Sequence, residues 1–96
     1  MKVVWTTLAA RRVRTIRDTI AEDRPLVAAR WLDELEHAVN SLDSFARRGR
    51  IVPEYGDPDI REIQLPPYRI IYSIDDDVVT ILTVRHGRQR LDAPEG

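Results

Sequence analysis

The chain has no cysteine and just two histidines, His37 and His86, in 96 residues. Disulfides and thiolate metal sites are therefore excluded, and two histidines are too few for most zinc constellations. No metal and no other cofactor is expected. Long hydrophobic runs are also missing: stretches such as Ile70-Ile71 are far too short to cross a bilayer, so no membrane partner is expected. After Lys2 the N-terminus alternates apolar and polar residues, without the apolar core and small-residue cleavage site of a signal peptide, which points to a cytoplasmic protein. A net charge of −1 removes any global electrostatic case for nucleic-acid binding.

What the chain does have is arginine. Of its 15 basic residues a single one, Lys2, is lysine, which leaves 14 arginines. Two readings of this bias stand side by side: arginine-favouring codon usage, and the suitability of planar guanidinium groups for phosphate or carboxylate recognition. The sign of the charge is unevenly spread. Acidic residues crowd Asp33 to Asp43 and the Asp75-Asp76-Asp77 run, whereas arginine dominates Arg47-Arg48-Gly49-Arg50 and Arg85 to Arg90.

Splitting 96 residues would leave two pieces too small to bury a useful core, so a single domain over 1–96 is expected. Lys2 to Thr6 alternates and is rich in β-branched and aromatic residues, which predicts a first strand. Thr7 is the predicted cap of a helix whose apolar positions Val13, Ile16 and Ile20 recur at helical spacing as far as about Glu22. Asp23 and Pro25 signal a second helix start. Its stripe Ala28, Leu32, Leu35, Val39, Leu42 and Ala46 predicts a helix failing near Gly49, antiparallel to the first. Pro53, Gly56 and Pro58 break any period between Arg50 and Asp59, so this stretch reads as a loop. Strands follow at Arg61 to Leu65, ended by Pro66-Pro67, then Tyr68 to Ile74 and Val78 to Arg85 across a short acidic turn. The order βααβββ predicts an α+β fold: an N-terminal strand, an antiparallel helical hairpin and a three-stranded antiparallel sheet. Trp5 and Trp31 are expected in the core and His37 on the solvated surface. The tail 91–96 is expected to be loose.

The helical hairpin, then Gly49-Arg50-Ile51-Val52-Pro53-Glu54, Tyr68-Arg69-Ile70-Ile71-Tyr72 and Val84-Arg85-His86-Gly87-Arg88, in that order and separation, resembles the RelE/ParE superfamily of type II toxins over nearly the whole chain. That resemblance implies a growth-inhibiting toxin held in a hetero-oligomer by a cognate antitoxin. It leaves two targets open. Members similar to RelE or YoeB cut mRNA on the ribosome, whereas those similar to ParE bind DNA gyrase without a catalytic set. The neutral charge and the long helical hairpin tilt the expectation slightly toward gyrase. A third possibility is an inactive member kept as a structural partner.

For the nuclease alternative, the resemblance supplies Glu54 as general base, Arg69 as phosphate-stabilising cation and His86 as general acid. Arg61, Arg85, Arg88 and Arg90 are candidate contacts to phosphate or to a protein target; an acidic antitoxin segment would suit the last three equally. Two departures weigh against RelE chemistry proper: Ile60 and Glu62 stand where that branch carries lysines, and no tyrosine follows Arg90. Other readings remain for each residue: Glu54 as a solvated loop carboxylate paired with Arg61, and His86 as a packing or capping residue at a strand end. Register decides whether Arg69 and His86 meet, because a shift of one residue moves a side chain to the other face. If Ile74 pairs with Asp77 they share a face; if it pairs with Val78 they do not. The spatial expectation is that a curled sheet backed by the helices gathers the guanidinium groups onto one concave surface.

Overall fold

A computed structural model of the chain describes residues 1–88; Arg90 and the tail 91–96 lie outside the described residues. Strand β1 (Lys2–Trp5) leads into helix α1 (Thr7–Asp23), then helix α2 (Pro25–Asn40) and a 3-10 turn over Ser41–Asp43. Strands β2 (Arg50–Ile51), β3 (Ile60–Leu65), β4 (Tyr68–Asp75) and β5 (Val78–His86) complete the chain. They form one five-stranded sheet in the order β1-β5-β4-β3-β2, antiparallel except for the parallel β1–β5 pair. The α+β class is as expected. No helix of the described residues is long and apolar enough to cross a membrane.

Local chemistry sets most boundaries. The cap of α1 is Thr6, one residue before the predicted Thr7. Its hydroxyl accepts the Ala9 N–H at 3.0 Å and donates to the Leu82 carbonyl at 2.9 Å, tying the helix start to β5. Pro25 occupies the first turn of α2, where its missing N–H has no helical partner to lose. That helix stops at Asn40 rather than near Gly49. The apolar period runs on through Leu42 and Ala46, both buried, because a 3-10 turn and a following bend keep them pointing inward. The stretch read as a loop contains β2, whose two residues pair with Arg61 and Glu62.

The helices cover one face of the sheet. Ala9, Val13, Trp31, Leu35 and Val39 meet Ile63, Ile70, Tyr72, Val79, Ile81 and Val84 in a single apolar core. Trp31 is buried, edge-on to Tyr68 at 5.5 Å between ring centroids. Trp5 is not in that core: β1 lies at the edge of the sheet, and 38 % of the residue is exposed. His37 is exposed, as expected.

The β4–β5 hairpin adopts neither of the two anticipated registers. Asp75 pairs with Val78 around the two-residue turn Asp76-Asp77, with Asp76 in the left-handed region at φ 50°. Ile74 therefore opposes Val79. Farther along, Tyr72 opposes Ile81 but Ile71 opposes Thr83, so Leu82 is an extra residue on β5 and the register slips by one. Beyond that bulge Arg69 faces Arg85 and Tyr68 faces His86.

Candidate functional site

Alternation along β4 sends Tyr68, Ile70 and Tyr72 toward the helices and Arg69 and Ile71 to the opposite face. On that second face Val52 and Ile71 form a small apolar cluster, with Tyr55, Ile60 and Leu82 packed around it. Beside it lies a chain of charges. Glu62, opposite Ile71 in the β3–β4 ladder, shares this face with Arg69. The segment after β2 folds back so that Glu54 reaches the same guanidinium.

Arg69 is clasped from two sides. Its Nη1 and Nη2 donate to the two oxygens of Glu54 at 2.8 and 2.9 Å, a bidentate fork. Its Nε donates to Glu62 Oε2 at 2.8 Å, and Nη2 makes a further short contact to the same oxygen. The other oxygen of Glu62 accepts from Arg50 Nε at 2.7 Å and, at 3.5 Å, from the Gln64 amide. Side-chain exposure is 7 % for Arg69, 0 % for Glu62, 19 % for Glu54 and 55 % for Arg50, so the two central charges are inside the protein. The Glu54 hydrogen bonds hold the Arg69 guanidinium protonated; burial opposes this, and the hydrogen bond and charge of Glu62 act with Glu54 against it. Two arginines and two glutamates balance to zero. A buried charge with a hydrogen-bonded opposite neighbour is tolerated, whereas the same charge alone is not.

A cleft of about 260 Å³ opens at the edge of this network, lined by Arg50, Gln64, Pro67, Arg69, His86 and Arg88 among others. Of the expected trio, Glu54 and Arg69 are brought together. His86 is a rim residue of the cleft, but its strand position turns toward the helix side: its ring meets Tyr68 edge-on at 5.8 Å, and its Nδ1 accepts the Arg88 backbone N–H at 3.2 Å. The Leu82 bulge is the cause, since it shifts the parity of everything beyond it on β5.

The remaining arginines do not gather at one place. Arg61 does not pair with Glu54; it donates to the backbone carbonyls of Arg47, Gly49 and Pro58, and so fastens the α2–β2 connection to β3. Arg85 lines a different groove beside α1, Arg88 lines the cleft, and Arg90 lies outside the described residues. The concave surface expected to hold them together thus reduces to Arg50, Arg69 and Arg88.

Sequence reasoning missed Arg50 and Glu62 as members of the site. A signal for Glu62 was available: a carboxylate in an apolar strand, across the Pro66-Pro67 turn from an arginine in a second apolar strand, implies that one answers the other. Among the described residues no group of three or more His, Asp or Glu side chains is placed to hold a metal ion.

Residues 3–91 match the family described as the ParE toxin of the type II toxin–antitoxin system parDE. Over 86 residues the chain is 37 % identical to Toxin RelE2 of Caulobacter vibrioides, covering 88 % of this chain and 93 % of that one. Toxin ParE3 of the same organism is 29 % identical over 83 residues, covering 86 % of this chain and 82 % of that one. Among solved structures, the chromosomal ParDE system from P. aeruginosa superposes with a TM-score of 0.75 at 22 % identity, over 90 % of this chain and 95 % of that one, a likeness of fold. The RelBE2 toxin–antitoxin complex from Mycobacterium tuberculosis gives a TM-score of 0.57 at 26 % identity, over 88 % of each chain.

Proposed function

The chain belongs to the ParE toxin family of type II toxin–antitoxin systems, and from that premise we propose that it arrests growth by binding DNA gyrase rather than by cutting mRNA. The observation that carries this reading is the enclosure of Arg69 between Glu54 and Glu62.

RNA cleavage needs a cation whose N–H groups point at the phosphate as negative charge builds on it. Here those N–H groups already point at two carboxylates, so a phosphate would have to compete with Glu54 and Glu62 for them. A glutamate holding a bidentate arginine is also a poor base, because taking up a proton would forfeit that pairing. His86 lines the same cleft as Arg69, but its ring packs on Tyr68 and its Nδ1 is engaged by the Arg88 backbone N–H, which disfavours it as the acid. A binding inhibitor needs no catalytic trio, only a stable surface, and the neutral network provides rigidity. An antitoxin that covers the chain and forms a hetero-oligomer with it is the partner this reading requires, with the cytoplasm as the site of action.

The test is induction of the chain without its antitoxin. DNA breaks and an SOS response with intact transcripts are expected. Transcript cleavage with translation arrest and no DNA damage would replace this reading with the ribosome-dependent nuclease. Glu54→Gln and His86→Asn should both leave toxicity intact, whereas a nuclease would lose it with either change.

A further inference from the structure

We infer that the start of α2 is a self-association surface, where the exposed Leu26 and Val27 of one copy pack antiparallel against the same pair of a second copy, fastened at each end by Asp23 and Arg30. This association is independent of the toxin reading and involves neither the apolar core nor the Arg69 network.

Leu26 is 81 % exposed and Val27 40 %, side by side in the first turn of α2. Single exposed apolar residues are common on any surface, but two adjacent ones beside a groove make a patch that a partner can take out of water. Val27 borders a groove of about 630 Å³ between the end of α1, the outer side of α2 and the Pro66-Pro67 turn. Asp23 and Arg30 line the same groove, the first preceding the apolar pair in the chain and the second following it. Both are exposed, and among the described residues neither makes an ion pair within the chain.

Such a pattern is complementary to itself. Residues three and four apart share a helix face, so Arg30 stands on the same surface as Leu26 and Val27. A two-fold axis passing between Leu26 and Val27 sets α2 antiparallel to α2 of the second copy and brings all four apolar side chains together. The same operation carries Asp23 of each copy toward Arg30 of the other, so an apolar centre acquires an opposite-charge pair at both ends. A parallel arrangement would put Asp23 on Asp23 and Arg30 on Arg30. A partner of one charge sign would leave one of the two ends facing like charge, which is why a second copy fits this surface better than a uniformly acidic or basic segment. One helix face covers less than the roughly 800 Å² per partner of a standard interface, so the dimer is weak, with a dissociation constant on the order of 10 μM.

Sedimentation equilibrium of the full-length chain, made by cell-free synthesis, should show a monomer–dimer equilibrium between about 1 and about 300 μM. Leu26→Glu should weaken association by about tenfold or more, because it places charge at the centre of the contact. Asp23→Arg and Arg30→Asp, each alone, set like charges against each other at both ends and should each weaken it about tenfold. Mixed in equal amounts, these two variants should associate as tightly as the wild type, since both ends of the mixed dimer again join opposite charges. Variants that had simply misfolded would not recover on mixing. Arg14→Glu on α1 lies outside this surface, beside Trp5, and should leave association unchanged.

A chain that stays monomeric to about 300 μM would overturn the assignment. So would a loss from Arg14→Glu equal to that from Arg30→Asp, or a mixture of the two charge-reversed variants no tighter than either alone. A dimer that Leu26→Glu leaves intact would mean that the copies meet elsewhere, with the same consequence.

Discussion

On the helix face of the sheet Ile70, Tyr72, Ile81 and Val84 meet Leu35 and Val39 through apolar contact, whereas on the other face Glu62 and Arg69 are buried almost as completely and are held by charge. The first arrangement is graded: removing methylenes leaves a cavity, and the loss scales with the volume left behind. The second is steeper, because deleting one central charge leaves the other in the interior with a single remaining partner, Glu62 with Arg50 or Arg69 with Glu54. The same sheet therefore tolerates substitution differently on its two sides. The side carrying Glu54 and Arg69 is the brittle one.

The sharpest way to break this contrast is to remove one charge and then both. Arg69→Ala should destabilise the chain by about 3–5 kcal/mol, as expected when a buried ion loses its partner. Arg69→Met with Glu62→Leu, which removes both buried charges and keeps the volume, should recover most of that loss. Denaturant midpoints for the single and double variants measure it. If the double variant is as unstable as the sum of the singles, the network is not a coupled unit. The result also bears on function: the double variant, if folded, should remain toxic to growth, because the proposed activity asks nothing of the Arg69 guanidinium.

How much of this was legible beforehand follows from the same difference between faces. The helix face is written at a period of 3.6 in Val13, Ile16 and Ile20 and at a period of two in Ile70 and Tyr72, so elements and core could be read from local pattern. The other face is written in pairs far apart in sequence, Arg69 with Glu54 and Glu62 with Arg50, and no local period marks which carboxylate answers which arginine. The parity of His86 was out of reach for a related reason. It depends on one extra residue, Leu82, in a strand whose composition is uniformly β-forming. The helix end at Asn40 was misjudged because Leu42 and Ala46 continue the stripe in a different backbone form.

A smaller effect is expected where the two faces join. Gly49 sits against the ladder between β2 and β3: a Cβ added there would lie 2.5 Å from the Glu62 carbonyl oxygen and 2.6 Å from the Tyr72 hydroxyl. Neither neighbour moves easily, one being backbone and the other a buried ring. Gly49→Ala should cost about 1–3 kcal/mol through overpacking. It should also loosen Arg50 on Glu62, since Arg50 is the next residue. Thermal denaturation reads the first effect, and amide exchange at residues 50 and 51 reads the second. An unchanged melting temperature would mean that the α2–β2 connection is far softer than its contacts imply.

The smallest effect, and the one with a pH signature, belongs to Tyr72. Its hydroxyl accepts the Gly49 N–H at 3.0 Å and donates to the Ala46 carbonyl at 2.7 Å, with the residue fully buried. Burial raises its pKa above the usual phenol value of 10.0, and the hydrogen bond from Gly49 offsets part of that rise. The sign follows directly. A hydroxyl that ionises later in the folded state than in the unfolded one contributes stability that is whole below about pH 10 and is lost as the pH climbs through the raised folded value. Tyr72→Phe should therefore cost about 1–2 kcal/mol at neutral pH, where it strands a buried N–H and a carbonyl, and should flatten the alkaline decline in stability. Denaturant melts of both proteins between pH 7 and 11 make the comparison. If the wild-type chain declines no more steeply than Tyr72→Phe above pH 10, the phenol is not the group that couples this junction to pH, and the contrast between the two faces would have to rest on the Glu62–Arg69 pair alone.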